Sequence, residues 1–132
     1  MAAIHRPAHL THHAAKVASA ACIQQAQSIG VPMNIAIVDA SLYLLHFERM
    51  PGAKLTSIDI AQNKAFTAAG HRAPTSVYKE AVWPGGAAFG LNNSNNGKFI
   101  TGTPAQDTKV AQAGVDAVME YVKKHQAGKP KL

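Results

Sequence analysis

The sequence predicts an α/β (α+β) domain in which helices flank an antiparallel sheet, and three observations carry that expectation. The run "MNIAIVDA" sets Met33, Ile35 and Ile37 on one face and Ala36 and Val38 on the other, so it reads as a strand covered on both sides. Asp39 to Ser41 then makes a turn, and Leu42 to Arg49 returns as the second strand of a hairpin. Around this hairpin, longer stretches repeat their apolar residues at helical spacing. At 132 residues the chain fits one domain over 1–132 and is too short for two, with 1–9 and 126–132 expected as flexible ends.

The elements follow in order. Thr11 caps a first helix whose apolar positions are Ala14, Val17, Ala18, Ala21, Cys22 and Ile29; Gly30 stops it, and Val31-Pro32 redirects the backbone into the first strand. After the hairpin, "KLTSIDIAQNKAFTAAGH" is a second helix, capped near Thr56 or Ser57 and closed at Gly70, with Ile58, Ala61, Ala65 and Ala68 along its inner stripe. A short third helix begins at Thr75. The run "PGGAAFGLNNSNNG" is turn chemistry throughout, and Asn96-Gly97 reverses the chain into a β-type run, Lys98 to Thr101. Almost at once the last helix starts at Pro104 and runs to about His125. Thr103 and Gln106 form a capping box, Asp107 suits the helix's positive end, and Lys123 and Lys124 suit its negative end. Its buried face is Val110, Ala113, Gly114, Ala117, Val118 and Tyr121, with Gly114 allowing close approach to the sheet or to a second subunit.

Composition narrows the function classes. Hydrophobic residues make up 47% and charged residues 15%, which suits a packed globular chain. The formal charge is +6, but Lys123, Lys124, Lys129 and Lys131 supply four of those charges from the final ten residues, so the excess reads as a solvated tail and not as a nucleic-acid surface. The single cysteine, Cys22, rules out an intrachain disulfide and a multi-cysteine zinc site, and it reads as a small buried hydrophobe. No stretch has the length of a signal-peptide core or a membrane span, so a cytoplasmic protein without membrane partners is expected. There is no P-loop, dinucleotide fingerprint, nucleophile elbow or metalloprotease helix.

"IGVPMNIAIVDASLYLLHFERMPGAKLTSIDIAQNKAFTAAGHRAPTS", followed by "PGG" and later by "GTPAQDTKVAQAGVDAV", resembles the GlcG/HbpS family of haem-binding-like domains, also found as the C-terminal domain of certain corrinoid adenosyltransferases. The resemblance covers residues 10–122. It implies a profilin-like α/β/α sandwich, assembly into a homo-oligomer, and binding of a small molecule: haem in some members, with cobalamin or iron proposed in others. In the family, the strand corresponding to Lys98–Thr101 is followed by a glycine-rich loop and a further strand before the TPxQD-like helix start. Here that section is missing. Either Lys98 to Gly102 stands in for the last strand, or it is the earlier strand joined straight to the helix. A sheet shortened by one strand exposes backbone groups that need new partners, and a neighbouring subunit is the expected source.

Candidate site residues are few. His46 lies in the second strand on the face of Leu44 and Glu48, and is either a haem ligand or proton carrier or a solvent-facing neighbour of Glu48. His71 follows Gly70, at a corner from which it could reach a pocket mouth. Arg49 and Lys64 are candidate anchors for haem propionates or another anion, the alternative for Lys64 being a structural ion pair with Asp39 or Asp59. Asp39 is most simply a turn former; with Lys64 and His46 it would make an acid/base set. Tyr43, Phe66, Tyr78, Trp83 and Phe89 supply either a flat apolar surface for a macrocycle or ordinary core and interface. His9 and His13 would share a helical face if the first helix began early, but no metal site is expected from them. His125 reads as a helix-end cation.

Two readings result. In the first, the chain holds haem or a related tetrapyrrole in an apolar cleft with a cationic anchor, with Arg49, Lys64, His46, His71 and Phe66 as its binding residues. In the second, the same scaffold is a small cofactor-independent enzyme that isomerises or cyclises an organic acid or ketone, with His46, His71 and Asp39 as the catalytic groups.

Overall fold

The computed structural model describes residues 2–102 and 104–126. The capping role expected of Thr103, the tail lysines Lys129 and Lys131, and the end at 127–132 lie outside the described residues. Among the described residues three helices pack around one antiparallel hairpin: α1 (His12–Ser28), β1 (Asn34–Val38), β2 (Leu44–Arg49), α2 (Ser57–His71) and α3 (Ala105–Gln126). Short 3-10 turns at Thr75–Tyr78, Leu91–Asn93 and Asn95–Gly97 occupy the connection between α2 and α3. The expected short helix at Thr75 is the first of these.

Local chemistry sets the ends of α1. The Thr11 hydroxyl accepts from Ala14 N–H at 3.2 Å, satisfying a donor that the first turn leaves open. At the other end Gly30 takes φ +69°, and its N–H and that of Val31 close onto the carbonyls of Gln27 and Ala26. α2 runs one residue past Gly70, and Arg72, not a glycine, takes the left-handed position at φ +54°.

β1 and β2 pair with Asn34 opposite Arg49 and Ile37 opposite His46, after which the register slips so that Val38 faces Leu44. Leu45 is therefore an extra residue, a bulge. Its effect is to turn Leu44 away from the face of His46 and Glu48, where strict alternation places it. The odd-numbered residues of β1 face α1: Ile35 joins Cys22, Ala26 and Val110 in the buried core, with Met33, Ile37 and Met50 packed around it. The opposite face meets α2, so both faces of β1 are covered as its composition requires.

The core is built by helix-on-helix contact. α1 and α3 share the largest interface, where Ala18, Cys22 and Ala26 of α1 meet Val110 and Gly114 of α3. Gly114 thus approaches α1 and not the sheet: a Cβ there would come within 2.6 Å of Cys22 Sγ and 3.3 Å of the Ala18 carbonyl.

The expectation of a strand at Lys98–Thr101 is corrected. Among the described residues the sheet has two strands, and residues 98–102 lie along α2 without a strand ladder. Thr67, 1% exposed, takes a partner strand's place: Ile100 N–H donates to its hydroxyl at 3.0 Å, while that hydroxyl sits 2.8 Å from the Asn63 carbonyl and 3.3 Å from that of Lys98. Gly102 N–H donates to the Thr75 carbonyl at 3.0 Å. Phe99 is driven into the interior beside His71 and Tyr78.

Candidate functional site

The bulge and the hairpin turn shape a groove against α2. Val38, Leu42, Tyr43 and Leu44 form one wall, and Gln62, Asn63 and Phe66 form the other, with Lys98 at the rim; the hollow is about 190 Å³. Helical spacing brings Gln62, Asn63 and Phe66 to one side of α2. The Lys98 ammonium lies 5.6 Å from the Phe66 ring centre, within range of a cation–π contact. Tyr43 and Leu44 are 75% and 50% exposed, a large apolar area for a hairpin tip.

Of the sequence-designated binding residues, only Phe66 lies in this groove. Lys64 points elsewhere: its ammonium is 2.7 Å from Asp107 Oδ2, an ion pair joining α2 to the first turn of α3, with side chains 21% and 37% exposed. The expected partners Asp39 and Asp59 are thereby corrected to Asp107. Arg49 is exposed at the far end of β2, opposite Asn34, about 16 Å of strand from Leu44.

His46 lies on the other face, beneath α1. Its Nε2 is 3.6 Å from Glu48 Oε2, and that same oxygen accepts from the Ser19 hydroxyl at 3.1 Å. The His12 ring is 6.1 Å away. His71, at the end of α2, has Nδ1 2.9 Å from the Tyr78 hydroxyl and its ring 4.4 Å from that of Phe99. The two histidines thus belong to separate clusters, and neither lines the groove.

The acid/base set is not assembled. Asp39 Oδ1 accepts from Ser41 N–H at 2.8 Å and Tyr43 N–H at 3.2 Å, so its carboxylate is used in fixing the turn. Lys64 is held by Asp107 and His46 faces α1, which leaves Asp39 alone at the hairpin tip. α1 starts at His12, so His9 and His13 do not share a helical face, and among the described residues no group of three or more His, Cys, Asp or Glu side chains could hold a metal ion. His125 Nδ1 lies 2.8 Å from the Tyr121 carbonyl and its ring stacks on Tyr121. Cys22 is buried, and loss of solvation pushes its thiol pKa up; its S–H donates to the Val110 carbonyl at 3.3 Å.

The aromatic surface divides likewise. Tyr43 and Phe66 meet at the groove, Tyr78 packs on His71 and Phe99, and Trp83 and Phe89 stand exposed on the α2–α3 connection. Lys98 and Leu42 escaped the sequence reading. Leu42 takes a φ of +72°, unusual for leucine and set by the tight Asp39 turn, which aims its side chain at Gly70; no letter in the sequence announces that.

Residues 10–103 match the family model described as haem degrading protein HbpS-like. The chain belongs to the HbpS-like family. Residues 104–122 of the earlier resemblance, most of α3 among them, lie beyond that match. In structure this HbpS-like chain is similar to Klebsiella pneumoniae ORFY, a DUF336 protein, at 26% identity and a TM-score of 0.85, covering 90% of this chain and 97% of that one. It is also similar to PduOC in a heme complex, at 29% identity and a TM-score of 0.77, covering 82% and 94% of the two chains. The mixed helical and antiparallel fold is thus that of the DUF336 proteins.

In sequence it is 35% identical over 95 residues to the corrinoid adenosyltransferase PduO of Salmonella typhimurium, taking in 72% of this chain and 28% of the enzyme. The chain therefore spans little more than a quarter of that relative's length. A 15.0 kDa Citrobacter freundii protein from the dhaT-dhaS intergenic region is 34% identical, with 86% of this chain and 94% of that protein matched. This match runs over 134 positions, more than the chain's own 132 residues, so the relative carries a stretch with no counterpart here.

Proposed function

We propose that the chain binds haem or a closely related tetrapyrrole, with the macrocycle laid against the groove between the hairpin tip and α2. The observation that carries this reading is the conjunction of a heme complex formed by a protein of the same fold with a partly open groove that sets Leu42, Leu44 and Phe66 beside the amides of Gln62 and Asn63 and has a cation at its rim. A hollow of about 190 Å³ is smaller than the roughly 300–1,000 Å³ of usual ligand pockets, so Phe66, Leu44 and Tyr43 would hold the ring at the surface and leave it partly exposed. Lys98 would anchor a propionate, the role first given to Arg49 and Lys64. Among the groove's side chains the Tyr43 phenol is of a kind that ligates haem iron. Bound haem supplies redox-active iron; the chain's residues bind the ring and set its exposure. Among the described residues no helix is long and apolar enough to cross a membrane, and nothing in the groove calls for a lipid.

The test is titration of the purified chain with haemin. Near-stoichiometric saturation with a shifted, sharpened Soret band is expected. Phe66→Ala should weaken binding about tenfold, as the loss of one aromatic face implies. Lys98→Ala should weaken it less, and Tyr43→Phe should move the band. His46→Ala and His71→Ala should leave the spectrum unchanged; a Soret band lost in either would displace the site from the groove, and a titration without saturation would end the haem reading.

A further inference from the structure

We infer that the free edge of β1 is an assembly edge, and that its occupant is the β1 strand of a second copy of this chain. This rests on backbone pairing and is independent of the haem reading. Met50 N–H donates to the Met33 carbonyl at 3.1 Å and Asp39 N–H to the Tyr43 carbonyl at 2.9 Å. In an antiparallel pair, bonded and non-bonded positions alternate, so Ile35 and Ile37 share this ladder with β2. The N–H and C=O groups of Asn34, Ala36 and Val38 therefore point the other way. Among the described residues no third strand lies there, and none of these groups has a hydrogen-bond partner outside the hairpin.

On the α2 face of the same strand, Asn34 Nδ2 donates to the Lys54 carbonyl at 2.8 Å, while its Oδ1 is buried without a partner among the described residues. Backbone groups are nearly always satisfied in folded proteins, so the outward N–H and C=O groups of Asn34, Ala36 and Val38 call for a pairing strand.

The strand's own sequence selects the occupant. Asn34–Val38 contains no charge and no proline, the usual devices that keep an edge from pairing. It is nearly symmetric about Ala36, with isoleucine on either side. A two-fold axis through Ala36 sets Ile35 against Ile37 of the second copy on the α1 face, and only alanine methyls meet at the centre of the α2 face. Such a contact is isologous and closes at two chains. Five residues of pairing bury little area, so the dimer is expected to be weak and concentration-dependent.

Sedimentation equilibrium of the haem-free chain over rising concentration should give a monomer–dimer transition. Ala36→Pro removes an N–H that faces the edge and none that faces β2, so it should abolish the dimer while far-UV circular dichroism stays native. Amide exchange of the unmodified chain gives a reading that needs no variant. From dilute to concentrated solution the amides of Asn34, Ala36 and Val38 should slow together, by about tenfold or more, while those of Ile35 and Ile37 hold constant. A chain monomeric throughout, a dimer whose Asn34 and Ala36 amides exchange as in the monomer, or a folded Ala36→Pro chain that still dimerises would each overturn the inference.

Discussion

Phe99→Ala should destabilise the chain by about 3–5 kcal/mol and lower its melting temperature by roughly 10–20 °C. Phe99 is 1% exposed and is the largest fully buried side chain among the described residues. Its ring meets His71 at 4.4 Å and Tyr78 at 5.9 Å between centroids, both edge-on. Truncation leaves a void that polar rings on half-open positions fill poorly, and it frees the extended segment that Thr67 holds against α2. With a total stability of about 5–15 kcal/mol, a loss of that size removes a large share. Phe99→Leu keeps most of the volume and should cost about 1.5 kcal/mol or less. Differential scanning calorimetry of the two variants distinguishes the cases. A fall of under about 3 °C for the alanine variant would mean that residues 98–102 dock without joining the cooperative core.

The same segment marks the limit of what the chain's letters reveal. Thr11, Gly30 and Asp39 act on residues within five positions, and their roles were legible because caps and turns are local chemistry. Lys98–Thr101 has the composition of a strand, but a strand also needs a neighbouring edge, and here the Thr67 hydroxyl is the available partner. The bulge at Leu45 is equally silent: one extra residue moved Leu44 to the α2 face and made it a wall of the groove. Lys64 was recognisable as a cation in need of an anion, yet Asp107 lies 43 residues away in sequence, and proximity along the chain favoured the wrong carboxylates. Phe66 was named as a candidate binding residue for its flat apolar ring, and it lines the groove. Lys98, its neighbour across the groove, is visible only once the connection has folded back over α2. The family could be read because its signature spreads over many short runs in order, whereas the site depends on where a few of them meet.

Gly114→Ala should destabilise the chain by about 2 kcal/mol, although alanine is the better helix former by about 1 kcal/mol at an interior position. The reason is the depth of the α1–α3 contact. The new methyl would lie 2.6 Å from Cys22 Sγ and 3.3 Å from the Ala18 carbonyl, and neither is the far end of a flexible side chain. Cys22 turns about one bond only, and its S–H is engaged by the Val110 carbonyl at 3.3 Å. The clash is specific, and so is its relief. Cys22→Ala alone removes a buried sulfur and its hydrogen bond, at about 1 kcal/mol. In the double variant the methyl added at position 114 enters the space the sulfur has left, so the double variant should be more stable than Gly114→Ala, with a favourable coupling of about 1–2 kcal/mol. Urea unfolding of the four chains measures this directly. Additive effects, or a Gly114→Ala chain more stable than the parent, would mean that α1 and α3 slide apart easily and that the glycine is not what sets their spacing.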